Sequence, residues 1–223
     1  MKGRNVFLII LLLVLADQIL KIFIKTNYYV GESHPVIGNW FRLYFIENEG
    51  MAYGWKFGGE WGKIILTLFR FAAVIFGVFY LHHIVKKKYH PGFISCAALI
   101  FAGALGNLID SMFYGIIFEE SSATLQNVAK IFPEKGYAGL FHGKVVDMLY
   151  FPMVRSNYPD WIPFVGGREF EFFSPIFNVA DAAISVGVIT LLIFQRRFLH
   201  KNETSTYSTV ETNSEVSDKA HVM

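Results

Sequence analysis

The chain has 223 residues, 53% of them hydrophobic and only 17% charged, with a formal net charge of +2. Soluble domains carry roughly 25% charged residues, so this composition excludes an ordinary soluble globule and points to a polytopic membrane protein. The single cysteine, Cys96, excludes an internal disulfide. The lack of a sizeable basic patch outside the flanks of the apolar segments excludes nucleic-acid binding.

Four apolar segments follow in chain order, about Val6 to Ile24, Ile64 to Val85, Phe93 to Phe118 and Ile176 to Phe198. Each is near the roughly 20 residues that cross a bilayer. Backbone polar groups must bond internally in lipid, so helices are expected. The first segment follows Lys2 and Arg4, as a secretory signal would. It lacks a small-x-small cleavage site, and Asp17 and Lys21 interrupt it, which favours a retained helix. Asp17 and Lys21 lie four apart on one helix face. That face is expected to turn toward the bundle or the membrane surface. Arg70, inside the second segment, must snorkel or pair within the bundle.

Short basic flanks set the orientation. Lys2 and Arg4, then Lys86, Lys87, Lys88 and His90, then Arg196, Arg197, His200 and Lys201 all fall on one side of an up-and-down bundle. Positive charge favours the cytoplasmic side, so both termini are expected there. The outer loop at about 25–63 contains an aromatic and β-branched run, Asn39 to Ile46, that reads as a strand. Gly50, Gly54, Gly58 and Gly59 then suggest turns, and Trp40, Trp55 and Trp61 suit a membrane interface. The loop at about 119–175 is long enough to be functional or disordered. The polar tail, 201–223, is expected to be disordered.

Ionisable residues at membrane depth are functional-site hypotheses by default. Polar clusters recur near the outer ends of the segments: Asp17-Gln18 with Lys21, Asn48 to Gly54, Gly103 to Asp110, Asp147, and Asn178 with Asp181. The two aspartates Asp147 and Asp181 suggest paired carboxylates that share a proton and activate water.

These blocks, in this order, make the chain resemble lipoprotein signal peptidase (signal peptidase II) over about residues 1 to 200. The blocks are Asp17-Gln-Ile-Leu-Lys21, the Asn48, Gly50, Ala52, Tyr53, Gly54 pattern, Gly103-Ala-Leu-Gly-Asn107-Leu-Ile-Asp110, Val145-Val-Asp147, and Phe177-Asn-Val-Ala-Asp181. The resemblance implies a mainly α fold, a four-transmembrane-helix bundle with a small β-rich extracytoplasmic platform. It implies an aspartyl endopeptidase of the bacterial cytoplasmic membrane that cuts diacylglyceryl-modified prolipoproteins before the lipidated cysteine. Asp147 and Asp181 would be the catalytic dyad. Asn48, Gly50, Asn107 and Asn178 would bind substrate, with Asp17 and Asp110 lining or bracing the site. No metal or other cofactor is needed for that chemistry. A monomer surrounded by membrane lipids is expected, with cyclic-peptide inhibitors binding at the dyad. Two departures stand out. The family usually has Arg after the block ending in Asp110, where this chain has Ser111, and Lys144 or Arg155 are candidate replacements. Tyr53 stands where Phe is common.

Three rivals have less support. A proton or cation relay would need polar residues through several helices, yet the second and fourth segments are nearly apolar in their middles. Zinc and serine proteases would need His-Glu-x-x-His or Gly-x-Ser-x-Gly, both absent. The Gly-x-Gly-Asp block of other intramembrane aspartyl proteases is also missing. A non-enzymatic assembly factor would tolerate Asn at either aspartate.

Overall fold

The computed structural model describes residues 1–49, 59–152, 154–172 and 175–199. In chain order the elements are α1 (Gly3–Asn27), β1 (Ser33–Ile37), β2 (Phe41–Asn48), α2 (Gly59–Lys86), α3 (Pro91–Ile117), β3 (Val145–Tyr150), β4 (Val154–Asn157), β5 (Glu169–Phe172), β6 (Ile176–Phe177) and α4 (Val179–Leu199). The fold is mainly helical with a small antiparallel sheet, as expected. The helices run 25, 28, 27 and 21 residues. At about 1.5 Å per residue all four can cross a membrane.

The helices form an up-and-down bundle around α3, which packs against α1, α2 and α4. Val6, Leu81, Ile84, Ile94 and Ala98 share one apolar cluster, bringing together the start of α1, the end of α2 and the start of α3. The His90 ring stacks on Phe198 at 4.9 Å, which adds the end of α4. The basic flanks therefore gather at this end. Pro91 opens α3, and the His90 side chain accepts from the Gly92 amide at 3.1 Å. Proline suits this position because its missing donor would be unpaired there anyway. Large apolar side chains such as Phe7, Ile19, Phe69, Phe76 and Leu192 point away from the bundle. On a soluble protein such a surface would drive association; around a bundle of spans it faces lipid.

Packing within the bundle depends on small residues. A Cβ on Gly103 would lie 2.3 Å from the Ala180 carbonyl oxygen and 2.7 Å from Ile184 Cγ1. A Cβ on Gly106 would lie 2.7 Å from Asp17 Oδ2. These two glycines let α3 approach α4 and α1 closely.

The other end carries the sheet, in the order β1-β2-β3-β6, with β4 and β5 forming a separate two-stranded ribbon. The expected strand over 39–46 is found slightly later, at Phe41–Asn48. The stretch 119–175 departs from its reading as a loop, because it supplies β3, β4 and β5 and leads directly into β6. Its strands are short, and β3 is buried along nearly its whole length, so it lacks the alternation that marks a half-exposed strand. The fourth helix also starts later than expected. Ile176 and Phe177 pair with Tyr150 and Leu149 as strand, and the helix begins at Val179. Ile24, Phe45, Tyr114, Phe118, Val146 and Met148 form the core between sheet and helices.

Lys25 ties the 118–144 segment to this core. It is fully buried, pairs with Glu47, and donates to Ser121 Oγ at 3.1 Å. Its ammonium sits 5.5 Å from the Phe118 ring centre and 5.0 Å from that of Tyr137. Lys144 reaches the other Glu47 oxygen at 3.1 Å. Trp40 and Trp61 are exposed. The expected turns at Gly50, Gly54 and Gly58, with Trp55, and the tail 201–223 lie outside the described residues.

Gly103→Ala should lower thermal stability in detergent by about 1–3 kcal/mol, the usual cost of overpacking. Gly3→Ala, where nothing lies within 4 Å of the added Cβ, should leave it unchanged. Equal unfolding temperatures for the two variants would contradict the close α3–α4 contact.

Candidate active site

The site begins with a cation at helix depth. Lys21 is fully buried, and its ammonium lies 2.9 Å from Asp17 Oδ2 and 2.8 Å from Asp110 Oδ2. Its third partner is Asn107 Oδ1 at 2.9 Å. The i,i+4 spacing puts Asp17 and Lys21 on one face of α1, and the i,i+3 spacing puts Asn107 and Asp110 on the facing side of α3. Each member is buried and each is partnered, which is the condition for tolerating charge away from water. The expectation that the Asp17–Lys21 face turns into the bundle is met.

Asp17 and Asp110 are braces. Asp17 Oδ1 accepts from the Ala180 backbone amide at 2.9 Å and so holds the first turn of α4. Asp110 Oδ2 accepts from the Val146 amide at 3.3 Å, which fixes β3 against α3. Gln18, adjacent to the expected brace, donates to Asp110 Oδ1 at 2.9 Å and to the Gly106 carbonyl at 3.2 Å, and accepts from the Tyr114 hydroxyl at 3.1 Å. Gln18 stands in the Asp17–Lys21 block but has no expected role, and Tyr114 is not among the expected site residues. Their only sequence signal is a polar group on the same helix face as its neighbours.

Sheet register then delivers the two aspartates. Asp147 stands opposite Ile46 in the β2–β3 pairing, and Asn48 lies two residues along on the same face. The Asn48 amide donates to Asp147 Oδ2 at 3.2 Å. On the other side β6 pairs with β3, so the residue leaving β6, Asn178, arrives beside Asp147. Asn178 has two jobs. Its Nδ2 donates to Asp147 Oδ1 at 2.7 Å, and its Oδ1 accepts from the Asp181 backbone amide at 2.8 Å. The second bond caps the N-terminus of α4 and places Asp181 in the first helical turn, where negative charge is favoured.

Asn107 joins the two halves. Its Nδ2 donates to Asp181 Oδ1 at 2.8 Å, while its Oδ1 accepts from both Lys21 and Asn178, the latter at 3.1 Å. One amide therefore links the buried cation to Asp181, and through Asn178 to Asp147. Asp147 is 2% exposed, and burial is the main force pushing its carboxyl up to about 7. The neighbouring Asp181 charge pushes the same way, against the two asparagine donors. Such a pair releases its protons one after the other.

Of the expected site residues, Asp147, Asp181, Asn48, Asn107, Asn178, Asp17 and Asp110 converge in this network. Gly50 lies outside the described residues, as does Tyr53. The departure at Ser111 has a counterpart on α2. Arg70 Nη1 donates to Ser111 Oγ at 2.8 Å, and Ser111 donates in turn to the Asn107 carbonyl at 2.9 Å. Lys144, one candidate replacement for the missing arginine, is turned toward Glu47 instead. The side chain of Arg155, the other candidate, lies outside the described residues.

A carboxyl held at about 7 when folded and near 4 when unfolded favours folding fully below about pH 4. That contribution is lost as pH rises through 7, and by pH 8 the ionised group costs up to ~4 kcal/mol. Asp147→Asn should therefore unfold at a higher temperature than the parent at about pH 8, and at nearly the same temperature at about pH 4. Parallel unfolding temperatures across that range would contradict the buried, protonated carboxyl.

A family model for signal peptidase (SPase) II matches residues 9–197. The lipoprotein signal peptidase of Porphyromonas gingivalis (strain ATCC 33277) is 46% identical over 194 residues, covering 86% of this chain and 83% of that protein. The lipoprotein signal peptidase of Amoebophilus asiaticus (strain 5a2) is 32% identical over 216 residues, covering 96% and 86%. A bacterial membrane enzyme solved by the in meso method at 1.9 Å resolution matches with a TM-score of 0.54 and 25% identity, over 90% of this chain and 95% of that one. A second such structure, at 2.3 Å, shares the fold with a TM-score of 0.57 and 24% identity, over 90% and 93%. With its four spans and its sheet-capped polar site, the chain belongs to the lipoprotein signal peptidase (signal peptidase II) family of membrane proteases.

Proposed function

We propose that the protein is an aspartyl endopeptidase that removes signal peptides from diacylglyceryl-modified prolipoproteins, cutting before the lipidated cysteine. The observation that carries this reading is the Asn178 bridge. One side chain holds the Asp147 carboxyl and the Asp181 backbone, at 2.7 and 2.8 Å. Two acids positioned by one amide are suited to share a single proton.

The mechanism follows from their surroundings. Asp147, buried and pushed up to about 7, is the resting acid. Asp181, half-buried at a capped helix N-terminus, is the resting base. Asp181 takes a proton from water, and that water attacks the scissile carbonyl carbon. Asp147 donates its proton to the carbonyl oxygen, giving a neutral gem-diol. Collapse moves a proton to the departing amine and returns one carboxyl to its protonated form. Atoms and charge balance without a covalent enzyme intermediate. Asn48 and Asn178 hold Asp147 in place while it exchanges its proton. The exposed apolar faces of the helices suit the acyl chains of a substrate that stays in the membrane.

The basic flanks support a location in the bacterial cytoplasmic membrane, with both termini on the cytoplasmic side and the sheet outside. That arrangement puts the polar site at the outer surface, where water can reach a lipid-anchored peptide. The protein acts as a monomer in this reading, and a cyclic peptide that places a polar group at the dyad would compete with substrate.

Purified protein in lipid or detergent should convert a diacylglyceryl-modified prolipoprotein to its shorter form, read as a mobility shift. Folded Asp147→Asn and Asp181→Asn variants should lose at least about a hundredfold in rate, the scale of general acid–base catalysis. The rate of the parent should fall as pH rises through about 7, as Asp147 loses its proton. Undiminished cleavage by either folded variant would refute the dyad.

A further inference from the structure

Arg70 is a charged side chain beside the site that has no part in the mechanism above. Arg70 sits on α2, whose other face is apolar and outward, with Phe69 at 70% exposure beside it. It lies eleven residues into the helix from Gly59, about 16 Å along its axis at 1.5 Å per residue, within the span. A guanidinium at that depth is costly unless it is paired. Here it is half-buried, donates to Ser111 Oγ at 2.8 Å, and lies within electrostatic reach of Asp181, Asp110 and Asp147.

The charges around the two acids come from every packed element. α1 brings Asp17 and Lys21, α3 brings Asp110, β3 brings Asp147, α4 brings Asp181, and α2 brings Arg70. Lys21 is committed to Asp17 and Asp110, two carboxylates for one ammonium. That group carries two negative charges against one positive, although its ammonium still favours ionisation of Asp147. Arg70 adds a second positive charge within reach of the pair. Its tether is directional, because Ser111 Oγ donates to the Asn107 carbonyl and so presents its lone pairs to Arg70. Asn107 is the same residue that donates to Asp181.

We propose that Arg70, oriented by Ser111, is a positioning residue that holds the Asp147–Asp181 pair in its singly ionised, working form. This rests on the dyad reading above. Removal of the cation disfavours every ionised state of the pair, so the whole pH profile moves upward. A merely structural arginine would change the height of that profile and not its position.

The test is the pH profile of kcat/KM for prolipoprotein cleavage by the full chain. Parent, Arg70→Met, Arg70→Lys, Ser111→Ala and the double variant Arg70→Ser with Ser111→Arg would be compared, with folding checked by thermal unfolding. Arg70→Met should displace the acid limb upward by about one pH unit, at the low end for loss of an opposite charge near a carboxylate. Arg70→Lys should restore most of the displacement. The double variant, which grows the guanidinium from the tether's side, should also restore it. An unmoved limb in folded Arg70→Met overturns the proposal, as does an Arg70→Lys profile no closer to the parent than Arg70→Met. Should Arg70→Met fail to fold, Ser111→Ala decides. An upward displacement supports the tethered cation, and an unmoved limb overturns it. Asp147→Asn and Asp181→Asn run alongside separate the two failures: their activity would remove the dyad itself, whereas their inactivity with an unmoved Arg70 profile would remove only the role of Arg70.

Discussion

A buried ammonium is the constraint on which the site depends. Lys21 lies away from solvent between two helices, and a charge there is tolerated only when fully partnered. Its two partners on α3, Asp110 and Asn107, fix the register of α1 against α3. Gly106 permits that register, since a side chain there would collide with Asp17. Asp17 then holds the start of α4, Asp110 holds β3, and Asn107 is left with an amide directed at Asp181. Each acid of the proposed dyad is thus positioned by a brace that answers to the same cation. Removal of Lys21 would leave two carboxylates buried without a counter-charge, which is far more costly than the pair is stabilising.

The sheet contributes what the helices cannot. Helices offer a carboxylate at fixed depth, but bringing two acids from distant parts of the chain into one network needs a second kind of element. β3 carries Asp147 between β2 and β6, and the antiparallel pairing sets Asn48 on one side and Asn178 on the other. β6 is only two residues long, yet it delivers the chain directly to the cap of α4. The same asparagine that ends the strand starts the helix. The acid held by the sheet and the acid held by the helix therefore keep a fixed relation, and the burial that makes Asp147 useful also makes it costly to ionise.

Much of this was legible in the sequence, and the limits have physical causes. The four spans were visible because an apolar run of bilayer length reads as a membrane helix before any packing is known. Asp17, Lys21, Asn107 and Asp110 stood out as polar groups at helical spacing inside such runs. Asp147 and Asp181 were legible as carboxylates placed where they are expensive. The strands β3 to β6 are not legible in the sequence, because β3 is buried along nearly its whole length and shows no alternation and the others are four residues or fewer, so Asp147 reads as part of a loop. The start of α4 reads too early because Ile176 and Phe177 are apolar in strand or helix alike. The contact between Arg70 and Ser111 joins residues 41 apart on different helices, and neither residue signals the other. The pairing of Lys25 and Lys144 with Glu47 is likewise a product of tertiary packing.

The central claim is that the two acids share one proton near neutral pH, held by Asp147. Infrared spectroscopy of protein carrying carboxyl-labelled aspartate tests this directly, in titrations of the parent and Asp147→Asn from about pH 5 to about pH 9. The account predicts a carboxylic-acid band in the parent that disappears as pH rises through about 7 and is missing from the variant. A parent with no such band, or a band lost identically in both proteins, would contradict it.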